Sequence, residues 1–176
     1  QDCLETRARF HFRTATTVHR LDRATSGLFL MTLNRQAQRH IGLQFEKRQT
    51  VKTYKAVVAG NPIEESGTIE LPLRTDWYCR PKQMVDTCLG RPALTLWKIL
   101  DRRENNSLVE LKPVTGRTHQ LRVHMAAIGH PIVGDEFYAP AEFINESRRL
   151  MLHAESLEIR HPSGGDRLRL YDPCPF

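Results

Sequence analysis

The segment "VHRLDRATSG", residues 18–27, sets one carboxylate, Asp22, between Arg20 and Arg23, with His19 upstream and Thr25, Ser26 and Gly27 behind. A carboxylate held beside cations can serve as a nucleophile or a base. The same Asp can simply bend the chain by accepting backbone N–H groups. A second polar cluster, "TGRTHQLRVH" (115–124), places Arg117 at a helix start beside Thr118, His119 and Gln120. Free N–H groups there attract anions, and a solvated helix end has the same composition. His119, His124 and His130 are spaced five and six apart rather than four, so no two imidazoles stack on one helix face and no metal site is expected. GxxxxGK[ST], GxGxxG and GxSxG are all missing, which leaves phosphate-loop NTPases, dinucleotide dehydrogenases and nucleophile-elbow hydrolases without a signature.

The chain must position these groups on a scaffold of 176 residues, long enough to bury a core as one domain without disulfides. No apolar run approaches the ~18 residues of a membrane span. The cysteines at 3, 79, 88 and 174 form no CxxC pair, and no secretory pattern opens the sequence, so a cytoplasmic protein is expected, without a membrane partner and monomeric. Twenty-six Lys and Arg against twenty Asp and Glu give +6, and the cations recur in "NRQAQRH", "EKRQTVKTYK", "RTDWYCRPK", "TGRTHQLRVH" and "ESRRL" rather than in one tail. That distribution predicts a folded basic surface suited to a polyanion.

Periodicity supplies the elements. "GLFLMTL" (27–33) reads as a buried strand. Asn34 caps a helix through about Arg48, its apolar face formed by Ala37, Ile41 and Phe45. "KTYKAVVAG" (52–60) alternates as a strand with Tyr54, Ala56 and Val58 on one side. "GTIELPL", "PALTLWKIL" and "SLVELKP" are further strands, the last two joined as a hairpin by "DRRENN". A second helix starts at Thr118, buries Leu121, Met125 and Ile128, and ends at Gly129. "RLMLHA", "SLEIRHP" and "DRLRLYD" complete the set as short strands, before "LYDPCPF" closes the fold. The pattern predicts an α+β domain with a mixed, mostly antiparallel sheet and flanking helices.

"HRLDRATSG", "KTYKAVVAG", "GRTHQLRVHMAAIGHPIVGD" and "LMLHAESLEIRHP", in this order and at these separations, together with "LPL", "DW" and "RPKQ" between 71 and 83, resemble the RluA-type RNA pseudouridine synthases. The likeness runs from about Val18 to His161 and is far more specific than any single motif. The family's catalytic domain opens with a strand and a Lys-Pro motif upstream of "HRLD". Residues 1–17 are too few to contain them, so the expected unit is residues 1–176 as one catalytic domain without that segment.

The resemblance implies isomerisation of uridine to pseudouridine, in ribosomal RNA or tRNA stem-loops, with the uracil detached from N1 and rejoined through C5. No cofactor is called for. It makes Asp22 the catalytic carboxylate, whether it attacks C1′, adds to the ring or takes a proton from C2′. All three require an ionised group, and since burial penalises the charge, a fixed cation must offset it. Arg117 matches the position expected to pair with Asp22, and Tyr54 the active-site tyrosine beside the base. Arg20, two residues before Asp22, matches the arginine that fills the vacated base stack. The RNA-contacting set then comprises His19, Arg20, Thr25, Arg80, Lys82, His119, Gln120 and Arg122, with Leu121 as pocket wall or helix core. Two other readings compete: a catalytically inactive binder of structured RNA, and a nucleoside glycosidase. The second lacks the paired acid such enzymes use.

Overall fold

The computed structural model describes residues 3–176. Its main sheet is formed by β4 (Val51–Ala59), β5 (Ser66–Glu70), β8 (Leu94–Arg102), β9 (Asn106–Pro113), β10 (Leu152–Arg160) and β11 (Arg167–Tyr171), in the order β11-β10-β4-β9-β8-β5. Every pair along that path is antiparallel. One two-residue strand, β2 (Ser26–Gly27), runs parallel to β10 and brings the start of the chain onto the sheet. Smaller ribbons pair β1 (Thr16–Thr17) with β3 (Met31–Thr32), and β6 (Leu73–Thr75) with β7 (Gln83–Val85).

Alternation decides which face is buried. Thr95, Trp97 and Ile99 of β8 are buried while Leu96, Lys98 and Leu100 are exposed, as period two requires. Tyr54, Ala56 and Val58 of β4 meet Leu111 and Val109 of β9 and Leu152 of β10 in the largest apolar cluster, on the side expected from the sequence. The opposite face of β4 carries Lys55, which pairs with Glu110 at 3.4 Å and Glu155 at 3.5 Å.

Helix α2 (Arg35–Glu46) starts where Asn34 Oδ1 accepts the Ala37 N–H at 2.8 Å, and its Ile41 and Phe45 pack with Leu157 and Ile159 of β10. Helix α3 (Gln120–Ala127) begins two residues later than Thr118, because His119 adopts a left-handed conformation (φ 52°) immediately before it. It is buried on two sides. Leu121 and Met125 join the sheet cluster, and Val123 joins Leu73, Ala93, Val85 and Tyr138 under the β6–β7 ribbon.

Other expectations need correction. "GLFLMTL" is not one strand: Gly27 pairs with β10 in β2, Met31 and Thr32 pair with β1 in β3, and Leu28 and Leu30 between them fill the α2 cluster. Gly27, at φ +102°, lies so close to β10 that a Cβ would collide with the Ala154 carbonyl. "RLMLHA" and "SLEIRHP" form the single strand β10, whose pairing with β4 shifts register between Ala154 and Ser156. "GTIELPL" splits between β5 and β6. Helices α1 (Leu4–His11) and α4 (Ala141–Asn145) bury no residue, so no apolar stripe announces them.

Candidate active site

A cleft of ≈ 430 Å³ opens between the C-terminal end of α2 and the turn that leads into α3. Lys52, Tyr54 and Leu152 contribute its floor from the sheet, Phe45 and Arg48 one wall, residues 113–121 the other, and residues 18–22 with Thr25 the edge. Asp22 sits in this cleft at the start of a turn closed by Thr25 N–H donating to its carbonyl at 2.9 Å. The bland role for Asp22, a side chain that caps its own turn, is therefore carried by its main chain.

Arg122 and His119 face the Asp22 carboxylate: Arg122 Nη1 lies 3.7 Å from Oδ2, and His119 Nε2 lies 4.0 Å from Oδ1. Arg122 is fixed from behind by Asp135, which accepts from Nε at 2.7 Å and from Nη2 at 2.6 Å. Asp135 is itself held by the N–H groups of Phe137 and Tyr138. Arginine and aspartate are 2% and 1% exposed, so the fork cannot swing away. Against the penalty of burial, the hydrogen bonds and charge of Asp135, with Asp22 beyond, bind the guanidinium proton more tightly than usual.

His119 is ordered by a chain of bonds. Gln83 N–H donates to the Tyr138 hydroxyl at 2.8 Å, which leaves that hydroxyl to donate to His119 Nδ1 at 2.6 Å. Burial lowers the His119 pKa, with the Asp22 charge opposing, so the imidazole is neutral and carries its proton on Nε2, toward Asp22. Tyr54 is pushed up to about 12 by burial and then by the Asp22 charge. Its phenol keeps its proton at neutral pH.

The expected Arg117–Asp22 pair is not formed. Arg117 lines the cleft, but its Nε donates to the Pro92 carbonyl at 3.1 Å. Arg122, assigned above to RNA contact, takes the place beside Asp22 because it lies inside α3, whereas Arg117 lies before the helix begins. Gln120 is buried with both ends occupied: Oε1 accepts from Thr115 Oγ1 and Arg117 N, and Nε2 donates to Leu94 O and Thr95 Oγ1. It braces the turn rather than facing RNA. His19 is also internal, stacked on Phe45 at 4.9 Å, and its Nε2 accepts the Leu30 N–H at 2.8 Å. Burial, then the Lys52 charge, lowers it to about 4.

Thr25 and Leu121 line the cleft, Leu121 also joining the core, and exposed Arg20 reaches its edge. Arg80 and Lys82 lie outside the cleft, on the connection between β6 and β7. There the Arg80 guanidinium covers the Trp77 ring at 3.4 Å, and Tyr78 is fully exposed. A second groove of ≈ 480 Å³, lined by Arg74, Trp77 and Arg91, shares Arg117 and Thr118 with the first. Sequence reasoning missed Asp135 and Tyr138. The available signal was Arg122 itself, since an arginine beside Leu121 and Met125 in an apolar helix requires a buried acid.

A sequence profile described as RNA pseudouridylate synthase matches residues 2–127. The chain belongs to that family. Its relatives include the protein named dual-specificity RNA pseudouridine synthase RluA in Salmonella typhi and in Escherichia coli K12. Each is 45% identical over 177 aligned residues, spanning 100% of this chain and 81% of the relative. Among solved structures, human RNA pseudouridylate synthase domain containing 1 superposes with a TM-score of 0.88 at 33% identity, over 98% of this chain and 74% of that one. The human domain containing 4 protein, at 24% identity and a TM-score of 0.78, shares the fold. The chain is thus an RNA pseudouridine synthase, and the mixed, mostly antiparallel α+β architecture is the one its relatives share.

Proposed function

We propose that this chain isomerises uridines in structured RNA loops, with a large-subunit ribosomal RNA loop and tRNA anticodon stem-loops as its two targets, and that Asp22 is the catalytic residue. The observation that carries the reading is the Asp22 carboxylate, placed in a nucleoside-sized cleft between a neutral tyrosine and a rigidly held arginine.

In this scheme a uridine leaves its stack and enters the cleft, where the Tyr54 side chain lies against the base and Leu121 closes the apolar side. Asp22, with the Arg122 guanidinium 3.7 Å from its carboxylate, acts on the nucleoside. The N1–C1′ bond breaks, the uracil turns, and a C5–C1′ bond forms. The C5 hydrogen is lost as a proton and N1 gains one, so the overall change is neutral. His119 directs its Nε2 proton toward Asp22 and stabilises the same charge. Arg20, at the cleft edge, enters the position the base has left, while Arg117, shared by the cleft and the second groove, and Arg80 and Lys82 outside the cleft contact the RNA.

Retention of the carboxylate together with its arginine and tyrosine disfavours an inactive RNA binder. The test uses two synthetic hairpins, one with a large-subunit ribosomal loop sequence and one with an anticodon stem-loop. Pseudouridine at one defined position in each is expected. Modification of one hairpin alone would refute the dual target.

A further inference from the structure

Lys52 precedes Tyr54 by two residues in β4, so both side chains stand on the face that floors the cleft. Other cations near the sheet have internal anions: Lys55 has Glu110 and Glu155, and Arg122 has Asp135 and Asp22. Lys52 has none. Among the described residues, no acceptor or carboxylate lies within bonding reach of its Nζ. Its charged neighbour is another cation, Arg48, and the adjacent His19 is held neutral. Burial, and then Arg48, lower the Lys52 pKa, as expected for an ammonium kept half-buried without a counter-ion.

Lys52 lines the cleft proposed to admit the uridine. Across the cleft lies Gly116, where a Cβ would stand 3.7 Å from Nζ, so any larger residue would extend its side chain from a point beside the charge. Arg117 follows Gly116, and Arg48 lies on the opposite wall. The only other acid lining the cleft besides Asp22, among the described residues, is Glu46, which is exposed and makes no ion pair with Lys52. A half-buried lysine facing an open, cation-bordered gap lacks one thing, an anion from outside.

We propose that Lys52 binds a non-bridging oxygen of a phosphodiester attached to the ribose of the flipped uridine, and so fixes the sugar over Asp22. The inference rests on the reading of the cleft as the uridine site and adds a phosphate subsite to it. A nucleotide drawn into the cleft carries two such phosphates, 5′ and 3′, and the backbone must follow it to the cleft mouth. A lysine acts on phosphate as a point charge, so Lys52→Arg should retain binding.

The test measures equilibrium affinity for a uridine stem-loop in chains carrying Asp22→Asn, so that the RNA is not consumed. Lys52→Gln should weaken binding about tenfold, the loss of one charge-assisted contact. It should also reduce the slope of log K against log salt by about 0.7. Replacing the phosphate on one side of the target uridine by a neutral methylphosphonate should weaken binding by the chain that retains Lys52 by the same factor, and should abolish the effect of Lys52→Gln. A methylphosphonate three or more nucleotides away should leave that effect intact. Affinity unchanged by Lys52→Gln, or a loss that persists in full with either flanking methylphosphonate, would overturn the proposal. Should Lys52→Gln fail to fold, the chain that retains Lys52 decides alone, because insensitivity to both flanking substitutions overturns it. Failure of the isomerisation reading appears separately, as tritium that stays at uridine C5 in RNA incubated with the unsubstituted protein.

Discussion

Arg122 is the residue whose removal should do most to separate catalysis from folding. Its guanidinium holds Asp135 through two bonds and stands 3.7 Å from Asp22. Removing one partner of a buried pair costs about 3–5 kcal/mol, because the other charge is left uncompensated. Arg122→Met should destabilise the fold by that amount, with Asp135 still anchored to the N–H groups of Phe137 and Tyr138. The double variant Arg122→Met, Asp135→Asn removes both charges yet keeps an oxygen for those N–H groups, so most of the stability should return. Activity should not return. Arg122 Nη1, 3.7 Å from Oδ2, is the cation that positions the carboxylate, and a reacting group left free to shift by an ångström loses about 10²-fold in rate. Urea titration would measure stability, and single-turnover pseudouridine formation the rate. A double variant that regained both would show that Arg122 serves the fold alone. A larger rate loss from Arg117→Met than from the double variant would restore Arg117 as the partner of Asp22.

His19, held neutral at about 4 inside the α2 wall, should make the fold acid-sensitive. The unfolded chain, titrating at about 6.5, binds more protons than the folded one between these values, so stability falls as pH drops through 6.5 toward 4. The contribution at pH 5 relative to pH 8 is on the order of 2 kcal/mol. His19→Phe should flatten the urea-midpoint profile by that much, and an unchanged profile would refute the assignment. Arg20→Ala should slow extrusion of the target base, followed by 2-aminopurine fluorescence beside it, about tenfold while initial affinity changes little. Equal losses of rate and affinity would make Arg20 a phosphate anchor. Tyr138→Phe removes the hydroxyl that connects Gln83 to His119, and should lower the single-turnover rate without changing RNA affinity; a change in affinity alone would place Tyr138 among the RNA contacts.

The regular elements were legible because local patterns state them. Asn34 announces α2, and the alternation of Thr95, Trp97 and Ile99 against Leu96, Lys98 and Leu100 announces β8. Asp22, Tyr54 and Leu121 were equally visible, and the fold gathers all three at one cleft. What the sequence concealed is which cation faces Asp22. Arg117 immediately precedes the helix expected from Thr118 and Arg122 lies within it, and the left-handed His119 and the distant Asp135 turn Arg122 inward. His19 and Gln120 look like surface polar groups in sequence, but their partners, Leu30 N, Leu94 O and Thr95, come from elsewhere in the chain. "GLFLMTL" misled for a related reason. Apolar runs report burial, and here burial is supplied by loop side chains under α2 rather than by a ladder.

The central claim, that Asp22 rearranges uridine within RNA, is tested most directly by incubating the protein with a stem-loop tritiated at uridine C5 and counting tritium released to water. The unsubstituted chain should release the label and leave pseudouridine in intact RNA, and Asp22→Asn should bind the RNA yet release none. Release by Asp22→Asn at the normal rate, or free uracil in place of pseudouridine, would contradict it.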